Sequence, residues 1–247
     1  MVGEFSAAIS GDGSDSLASV GEFAVIDRLL AGRAQPAAVT LGPGDDAAVI
    51  ASSDGRIVVS TDMLIEGRHL GRKAIAQNAA DIEAMGARAT AFVVAFGAPA
   101  ETSAAAAVEL ADGMWDEARR LGAGIAGGDL VRAPLWVISV TVLGDLGGRA
   151  PVRRSGARAG DTVAVAGLLG RSAAGYALWD NKIDAHPDLR RLHLVPEPPY
   201  GQGRVAAAAG ATAMTDVSDG LLADLGHIAT ASGVGIDLST EGLAADR

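Results

Sequence analysis

Five aspartates lie beside a predicted strand or at a strand-to-helix junction, and a sixth lies on a predicted helix. Asp62 follows a predicted strand in VVSTD, Asp129 ends AGGD between predicted strands, and Asp81 lies on a predicted helix three residues after Asn78, so that these two share a face. The set is completed by Asp46 in GPGDDAAVI and by Asp216 and Asp219 in TDVSDGL. Carboxylates that converge repel one another and need cations, and oxygen ligands without Cys or paired His favour Mg²⁺ over Zn²⁺. Because Mg²⁺ usually shares its shell with substrate phosphates, the sequence predicts a carboxylate-lined magnesium–nucleotide site.

A single aspartate beside a glycine is usually a turn residue or a helix N-cap. Each of the six therefore has a purely structural interpretation when taken alone, and only the set as a whole favours a site. Five other aspartates keep the structural interpretation: Asp54, Asp112, Asp161, Asp188 and Asp237.

Composition excludes several classes of protein. The chain has 247 residues, with Lys+Arg 20 against Asp+Glu 30 and a formal net charge of −10, which argues against sequence-independent nucleic-acid binding. Hydrophobic residues make up 49%, enough for a core. Cysteine is absent, which excludes disulfides, thiolate zinc sites and Cys nucleophiles and fits a reducing, cytoplasmic compartment. We expect no membrane span, since no stretch approaches about 20 uncharged apolar residues. We expect no secretory signal, since the N-terminus lacks a basic region followed by an apolar run.

The hydrophobic pattern predicts two halves that mix strands and helices, hence a two-domain α/β (α+β) fold. We predict a mobile tail over residues 1–20, a first domain over 21–150 and a second over 151–247. The first half is predicted to contain a helix opened by a capping box at Ser19, a hairpin of strands at 47–51 and 57–60, helices at 73–86 and 101–121, and strands at 90–96 and 135–143. The second half is predicted to contain strands at 161–167 and 233–238 and helices at 171–180, 203–209 and 221–232.

Familiar nucleotide-binding and hydrolase motifs are rejected. Gly122-x-Gly124-x-x-Gly127 matches the dinucleotide fingerprint, but it follows a predicted helix and enters a strand, which is the wrong context. The sequence has no G-x-x-x-x-G-K-[ST] loop, no H-R-D loop and no G-x-S-x-G elbow. No pair of histidines has metal-ligand spacing, and His227 is interpreted as a packed or solvent-facing helix residue.

Six segments together resemble the thiamine-monophosphate kinases, members of the superfamily that includes aminoimidazole ribonucleotide synthetase. They are GDDAAV, STDMLIEGRH, NAADIEAMGA, AGGD, RRSGARAGD and DVSDGL, in the family's order and approximate spacing. The resemblance implies ATP-dependent phosphorylation of thiamine monophosphate to thiamine diphosphate, the last step in making that cofactor. It also implies a homodimer formed by sheet pairing of the N-terminal domains, with a C-terminal α/β domain that closes over the site.

The resemblance assigns a role to each matching residue. It implies that several magnesium ions are held by Asp46, Ser60, Thr61, Asp62, Asp81, Asp129, Asp216 and Asp219. It implies that ATP is contacted by Gly128, Asp129, Arg154 and Ser218, that His69 contacts the thiamine phosphate, and that Asn78 supports the site. Asp62, Asp129 and Arg154 are the residues expected to carry catalysis.

The chain departs from the family pattern twice. Only Leu70, Gly71 and Arg72 separate His69 from the helix at Lys73, so a longer family loop is either truly deleted or missing from the sequence. The family also has a further C-terminal segment with a G-G-E-D-Y-type motif that helps bind thiamine, so we expect an incomplete substrate pocket.

Two alternatives stay open at the level of sequence. An ATP-dependent cyclo-ligase of the same superfamily would share the acids but not the substrate pocket. A non-catalytic module would use the acids as a structural Ca²⁺ site. For the kinase we expect direct transfer without a phosphoenzyme or a dedicated base, because a phosphate acceptor with a second pKa of about 6 is already ionised.

Overall fold

A computed structural model describes residues 39–41, 48–52, 55–65, 70–99 and 104–239. All of them belong to one compact unit, Ala38–Arg247. The domain boundary near residue 150 therefore stays a prediction. The tail, the helix expected after Ser19, Asp46 and His69 lie outside the described residues.

Six strands form one mixed sheet. They are β1 (Val39–Leu41), β2 (Ala48–Ser52), β3 (Gly55–Ile65), β4 (Arg88–Ala98), β5 (Gly124–Arg132) and β6 (Val137–Asp145), in the order β1-β2-β3-β6-β4-β5. The β2–β3 pair confirms the predicted hairpin. Every pairing is antiparallel except β4–β5, which is parallel and therefore needs a crossover.

Two helices cover one face of this sheet. Helix α1 (Leu70–Ala84) precedes β4, and α2 (Ala104–Arg120) is the crossover from β4 to β5. Helix α1 ends because Gly86 adopts a φ of 73°, where its N–H donates to the Glu83 carbonyl at 2.9 Å. Both helices match the predicted positions, with ends shifted by a few residues.

The core lies between these helices and the sheet. Along β6, buried Ile138, Val140 and Val142 alternate with half-buried residues, as expected when one face of a strand packs against helices. The same core contains Val58, Ile75, Ile82, Phe92, Leu110 and Met114. Opposed residues share a face, so Ser60 and Asp62, which pair with Val142 and Val140, lie on the helix-covered side.

The second half contains four helices. They are α3 (Arg171–Asp180), α4 (Pro187–Leu194), α5 (Gln202–Ala208) and α6 (Leu221–Ser232). Three match predicted helices, whereas α4, which has proline in its first turn, was not predicted. The strands predicted at 161–167 and 233–238 are wrong: neither segment forms a ladder, and residues 161–167 are all exposed. Their apolar alternation fits a strand, but a strand also needs a hydrogen-bonded neighbour.

Helix α5 joins the second half to the first. The N–H of Gly203 donates to Oε2 of Glu83 near the end of α1, at 3.1 Å. A Cβ at Gly203 would collide with the Glu83 carbonyl oxygen, so the two backbones approach as closely as only glycine allows.

None of the helices in the described part of the chain is long and apolar enough to cross a bilayer.

Candidate functional site

Four of the residues singled out in the sequence meet where α1 crosses β3. The Ser60 hydroxyl donates to Oδ2 of Asp81 at 2.6 Å. The backbone N–H of Asp62 donates to Oδ1 of Asn78 at 3.1 Å. Strand alternation puts Ser60 and Asp62 on the same side, and helix spacing puts Asn78 and Asp81 above them. A side chain of β3, Ser60, thus bonds to α1, and a side chain of α1, Asn78, bonds to the backbone of β3. Together with Asp62 and Asp81 these residues form an oxygen-donor group.

Asn78 is the buried support of this group. Its side chain is fully buried, and its Nδ2 donates to the Ala74 carbonyl at 2.8 Å. The amide oxygen is thereby aimed at the backbone of Asp62. Removing it would leave the Asp62 N–H without this acceptor in a partly buried place, a loss that typically costs about 1–3 kcal/mol.

Thr61 faces the other way. It pairs with Thr141 on β6, whose hydroxyl donates to Oγ1 of Thr61 at 3.2 Å, and Oγ1 of Thr61 donates to the Val140 carbonyl at 2.8 Å. Its hydroxyl therefore lies on the open face of the sheet, opposite to Ser60 and Asp62.

Gly128 and Asp129 lie on β5, three strands from Asp62. Gly128 shares a cross-strand row with Val94, Val140 and Asp62, about 14 Å from Asp62 at ordinary strand spacing. A Cβ at Gly128 would collide with the Val94 carbonyl oxygen, so this position requires glycine. Asp129 belongs to the next row, is exposed, and points to the open face. The register does not place its carboxylate beside those of Asp62 and Asp81.

Arg154 is positioned by the end of α6. Its carbonyl accepts a hydrogen bond from the Ser232 hydroxyl at 2.8 Å. The same hydroxyl oxygen accepts the N–H groups of Gly156 and Ala157, each at 3.1 Å. One half-buried hydroxyl thus fixes the turn that carries Arg154, and the Arg154 residue as a whole is also half-buried.

The DVSDG loop, residues 216–220, carries the remaining predicted residues. Asp216 is half-buried, whereas Ser218 and Asp219 are exposed just before α6. Asp224, in the first turn of α6, was not singled out in the sequence, yet its Oδ2 accepts the N–H groups of Asp219 at 3.2 Å and Gly220 at 3.1 Å. Ligand atoms of Asp219, Asp224 and His227 all lie within 4.8 Å of one another.

The spacing of Asp224 and His227 was the sequence signal that could have found this group, because residues three apart share a helix face. Elsewhere in the described ranges, no other three His, Asp or Glu side chains gather as closely. The described acids of the predicted set fall into three places: Asp62 and Asp81 where α1 crosses β3, Asp129 on β5, and Asp216 and Asp219 before α6.

A buried carboxylate holds the first turn of α1 against the second half. Glu117 on α2 is fully buried and accepts hydrogen bonds from Arg72 at 2.9 Å and from the Tyr200 hydroxyl at 2.8 Å. Arg120 approaches it at 3.2 Å. Burial, followed by the bond to Glu117, raises the pKa of Tyr200 far above its ordinary value. The hydrogen bonds of Glu117 thereby connect the start of α1, α2 and the segment after α4.

Lys73 and His193 lie near one another at the same junction. Burial lowers the pKa of Lys73. Burial first, and then the charge of Lys73, lower the pKa of His193, so the imidazole is biased toward its neutral form.

Comparison with known proteins accounts for both halves. Residues 44–146 match the family model of the AIR synthase related protein, N-terminal domain, and residues 158–246 match that of the C-terminal domain. The thiamine-monophosphate kinase of Mycobacterium tuberculosis is 68% identical over 244 residues, covering 95% of this chain and 73% of that protein. The Corynebacterium glutamicum thiamine-monophosphate kinase is 45% identical, covering 82% of this chain and 67% of that protein.

A solved structure has the same architecture. AaThiL complexed with AMPPCP and TMP superposes with a TM-score of 0.76 at 27% identity, covering 90% of this chain and 74% of that one.

Proposed function

This chain belongs to the thiamine-monophosphate kinase family, and we propose that it transfers the terminal phosphate of ATP to thiamine monophosphate, giving thiamine diphosphate and ADP. The observation that carries the proposal is the oxygen-donor group in which Ser60 bonds to Asp81 and Asn78 holds Asp62. The binding of AMPPCP and TMP by AaThiL supports the same pair of ligands here.

The donor set fits magnesium. Ser60, Asp62 and Asp81 offer hydroxyl and carboxylate oxygens without sulfur or imidazole, the chemistry that Mg²⁺ prefers. When bound, magnesium would neutralise phosphate charge and help align the two phosphates. Asp46, Thr61, Asp216 and Asp219 are proposed as further ligands. Asp129 is proposed as a ligand of both magnesium and ATP. Because Asp129 lies on the opposite face of the sheet from Asp62, this assignment rests on the family resemblance and not on the geometry of the sheet.

The chain's own groups bind and orient the reactants. Asn78 keeps the backbone at Asp62 fixed, so that this carboxylate does not have to be ordered when substrates arrive. The Arg154 turn, held by Ser232, would present a guanidinium to ATP phosphate, where it stabilises charge on the transferred group. Gly128 and Ser218 are proposed to contact ATP, and His69 the thiamine phosphate.

The acceptor needs no base from the protein. A phosphate monoester with a second pKa of about 6 is already a nucleophile near neutral pH. We therefore expect direct in-line transfer, in which the oxygen–phosphorus bond to ADP breaks as the bond to the acceptor oxygen forms.

A homodimer forms the second part of the proposal. On the open face, three large apolar side chains are exposed: Met63 by 62%, Val93 by 40% and Val131 by 53%. They lie on three strands of the side that α1 and α2 leave uncovered, and a second copy of the same face would bury them. Met63→Asp should shift the mass measured by light scattering from dimer to monomer, and an unchanged mass would contradict this part. The cytoplasmic location stays a prediction from the sequence.

The activity is tested by incubating the full chain with ATP, Mg²⁺ and thiamine monophosphate and separating the products. Thiamine diphosphate with equimolar ADP is expected, whereas the absence of thiamine diphosphate would favour the cyclo-ligase, and binding of Ca²⁺ that is indifferent to ATP would favour a structural module.

Asp62→Asn keeps the side-chain volume and removes the charge. We expect it to lower kcat about a hundredfold or more at saturating ATP, because metal and charge contacts made at the reacting phosphate are lost. Asp112→Asn, an exposed aspartate on α2, is the matched control and should retain wild-type turnover. Near-normal turnover of Asp62→Asn would overturn the magnesium assignment.

A further inference from the structure

Asp224 occupies an unusual place for a carboxylate. It is 3% exposed, although it lies in the first turn of α6 beside the exposed Asp219. Burying a carboxylate costs several kcal/mol unless hydrogen bonds compensate. In the described structure its Oδ2 accepts two of them, and both donors are backbone N–H groups of the DVSDG loop, those of Asp219 and Gly220.

The backbone of this loop needs such support. Gly220 precedes α6 with a φ of 116° and a ψ of 152°, a conformation essentially restricted to glycine, and glycine loses more backbone freedom than any other residue when one conformation is fixed. The N-cap position also lacks a side-chain cap. Asp224, four residues after the N-cap, binds the N–H of Gly220 much as the third residue does in a capping box, and it also binds the N–H of Asp219.

The same contacts decide where the Asp219 side chain goes. Its ligand oxygen, a carboxylate oxygen of Asp224 and a ring nitrogen of His227 lie within 4.8 Å of one another. Because Asp224 holds the Asp219 N–H, it fixes the Cα–Cβ direction of Asp219 and keeps that carboxylate close to its own charge. A cation at Asp219 would relieve this like-charge contact.

We propose that Asp224 is a positioning residue: its buried carboxylate holds the DVSDG loop in the conformation in which Asp219 binds the magnesium of the nucleotide complex. The proposal rests on the proposed function, in which Asp219 is a magnesium ligand. Asp224 acts through hydrogen-bond acceptance, and Asp219 contacts the cation.

Two substitutions separate this role from direct ligation. Asp224→Ala removes the acceptor, whereas Asp224→Asn keeps an acceptor oxygen of the same reach and loses the charge. Asp188→Ala is the matched control, since Asp188 is also a first-turn acid but lies exposed on α4. In each variant of the full chain, calorimetry measures the Mg²⁺ concentration needed for half-maximal binding of AMPPCP, and amide hydrogen exchange is followed at residues 216–220.

We expect Asp224→Ala to raise the required Mg²⁺ concentration about ten- to a hundredfold, the usual effect of losing the partner that orients a metal ligand. Exchange at Asp219 and Gly220 should accelerate in parallel. Asp224→Asn should restore most of both properties, and Asp188→Ala should change neither. An unchanged Mg²⁺ requirement in Asp224→Ala overturns the proposal. So does an Asp224→Asn variant as impaired as Asp224→Ala, which would make the charge itself the active feature.

Asp219→Asn distinguishes this failure from failure of the proposed function. If Asp219→Asn leaves the Mg²⁺ requirement at the wild-type level, the metal assignment of Asp219 is wrong, whatever Asp224 does. If it raises the requirement while Asp224→Ala does not, the assignment of Asp219 holds and the positioning role of Asp224 is wrong.

Discussion

The two halves of this chain hold their polar residues by different means. In the first half, the sheet and two helices enclose an apolar core, and Asn78 and Asp81 reach Ser60 and Asp62 from a helix seated on that core. In the second half, the buried apolar side chains among the described residues are Val195 and Ile228, and loops are held by Ser232 and Asp224 through backbone N–H groups. The first set lies on a strand and a helix that pack on an apolar core, whereas the second set lies in loops held by side-chain-to-backbone hydrogen bonds without such a core among the described residues.

We expect the largest difference between the halves when one valine in each is replaced by alanine and the free energy of unfolding is compared. Val58 is fully buried in the core, whereas Val163 is 40% exposed. Val58→Ala should lower the free energy of unfolding by about 2–3 kcal/mol, from lost burial and a cavity. Val163→Ala should change it by about 0.5 kcal/mol or less. Urea unfolding measures both, and equal effects would contradict the contrast.

A single added methyl group at Gly203 should disrupt the contact between α5 and the end of α1. At Gly203, a Cβ would strike the backbone of Glu83, so Gly203→Ala should destabilise the protein by about 1–3 kcal/mol. Gly226, inside α6, has no atom within 4 Å of the position of a Cβ. Gly226→Ala should therefore stabilise the protein by about 0.5–1 kcal/mol, because alanine is the better helix former. Thermal unfolding should move the two variants in opposite directions, and a shift of the same sign would refute the close contact.

The hydrogen-bonded loops of the second half can be probed at Ser232. Ser232→Ala removes the acceptor of two N–H groups and the donor to the Arg154 carbonyl, for an expected loss of about 1–2 kcal/mol. If Arg154 contacts ATP and stabilises charge on the transferred phosphate, the KM for ATP should rise and kcat should fall, each several-fold. Ser172→Ala, on the exposed α3, serves as the control. An unchanged KM would separate the Arg154 turn from nucleotide binding.

The sequence predicted the positions of helices and strands better than it predicted which segments pair in the sheet. Helices α3, α5 and α6 and the β2–β3 hairpin follow from local periodicity and glycine placement. The helices formed within a residue of the expected positions, whereas β3 extends five residues beyond its expected end. The strands predicted at 161–167 and 233–238 did not form. Alternation of apolar and polar residues indicates which face of a strand is buried, but it does not show whether a partner strand is available for hydrogen bonding. Helix α4 was missed because its eight residues offer too few turns for a clear period.

The site shows the same division. Asn78 and Asp81 were placed on one face because helix spacing is local, and the structure brings that face onto β3. The position of Asp129 relative to Asp62 depends on strand order and on register shifts in β4, which spacing along the chain does not contain. Asp224 was not predicted because the groups that it holds are backbone N–H groups, which have no residue signature, and only its spacing from His227 pointed to it. Asp46 and His69 lie outside the described residues, so their roles stay predictions.

The hydrogen bond between Tyr200 and Glu117 makes the junction between the two halves sensitive to alkaline pH. Since the pKa of Tyr200 is higher in the folded protein than in the unfolded chain, its contribution to stability is intact below pH 10 and disappears as the pH rises through the folded value. Ionisation would set a phenolate against a buried carboxylate 83 residues away in the chain. The chain has two tyrosines, and the other, Tyr176, is exposed. In a Tyr176→Phe background, ultraviolet absorbance of the phenolate would therefore follow Tyr200 alone and report the loss of its bond to Glu117 on α2.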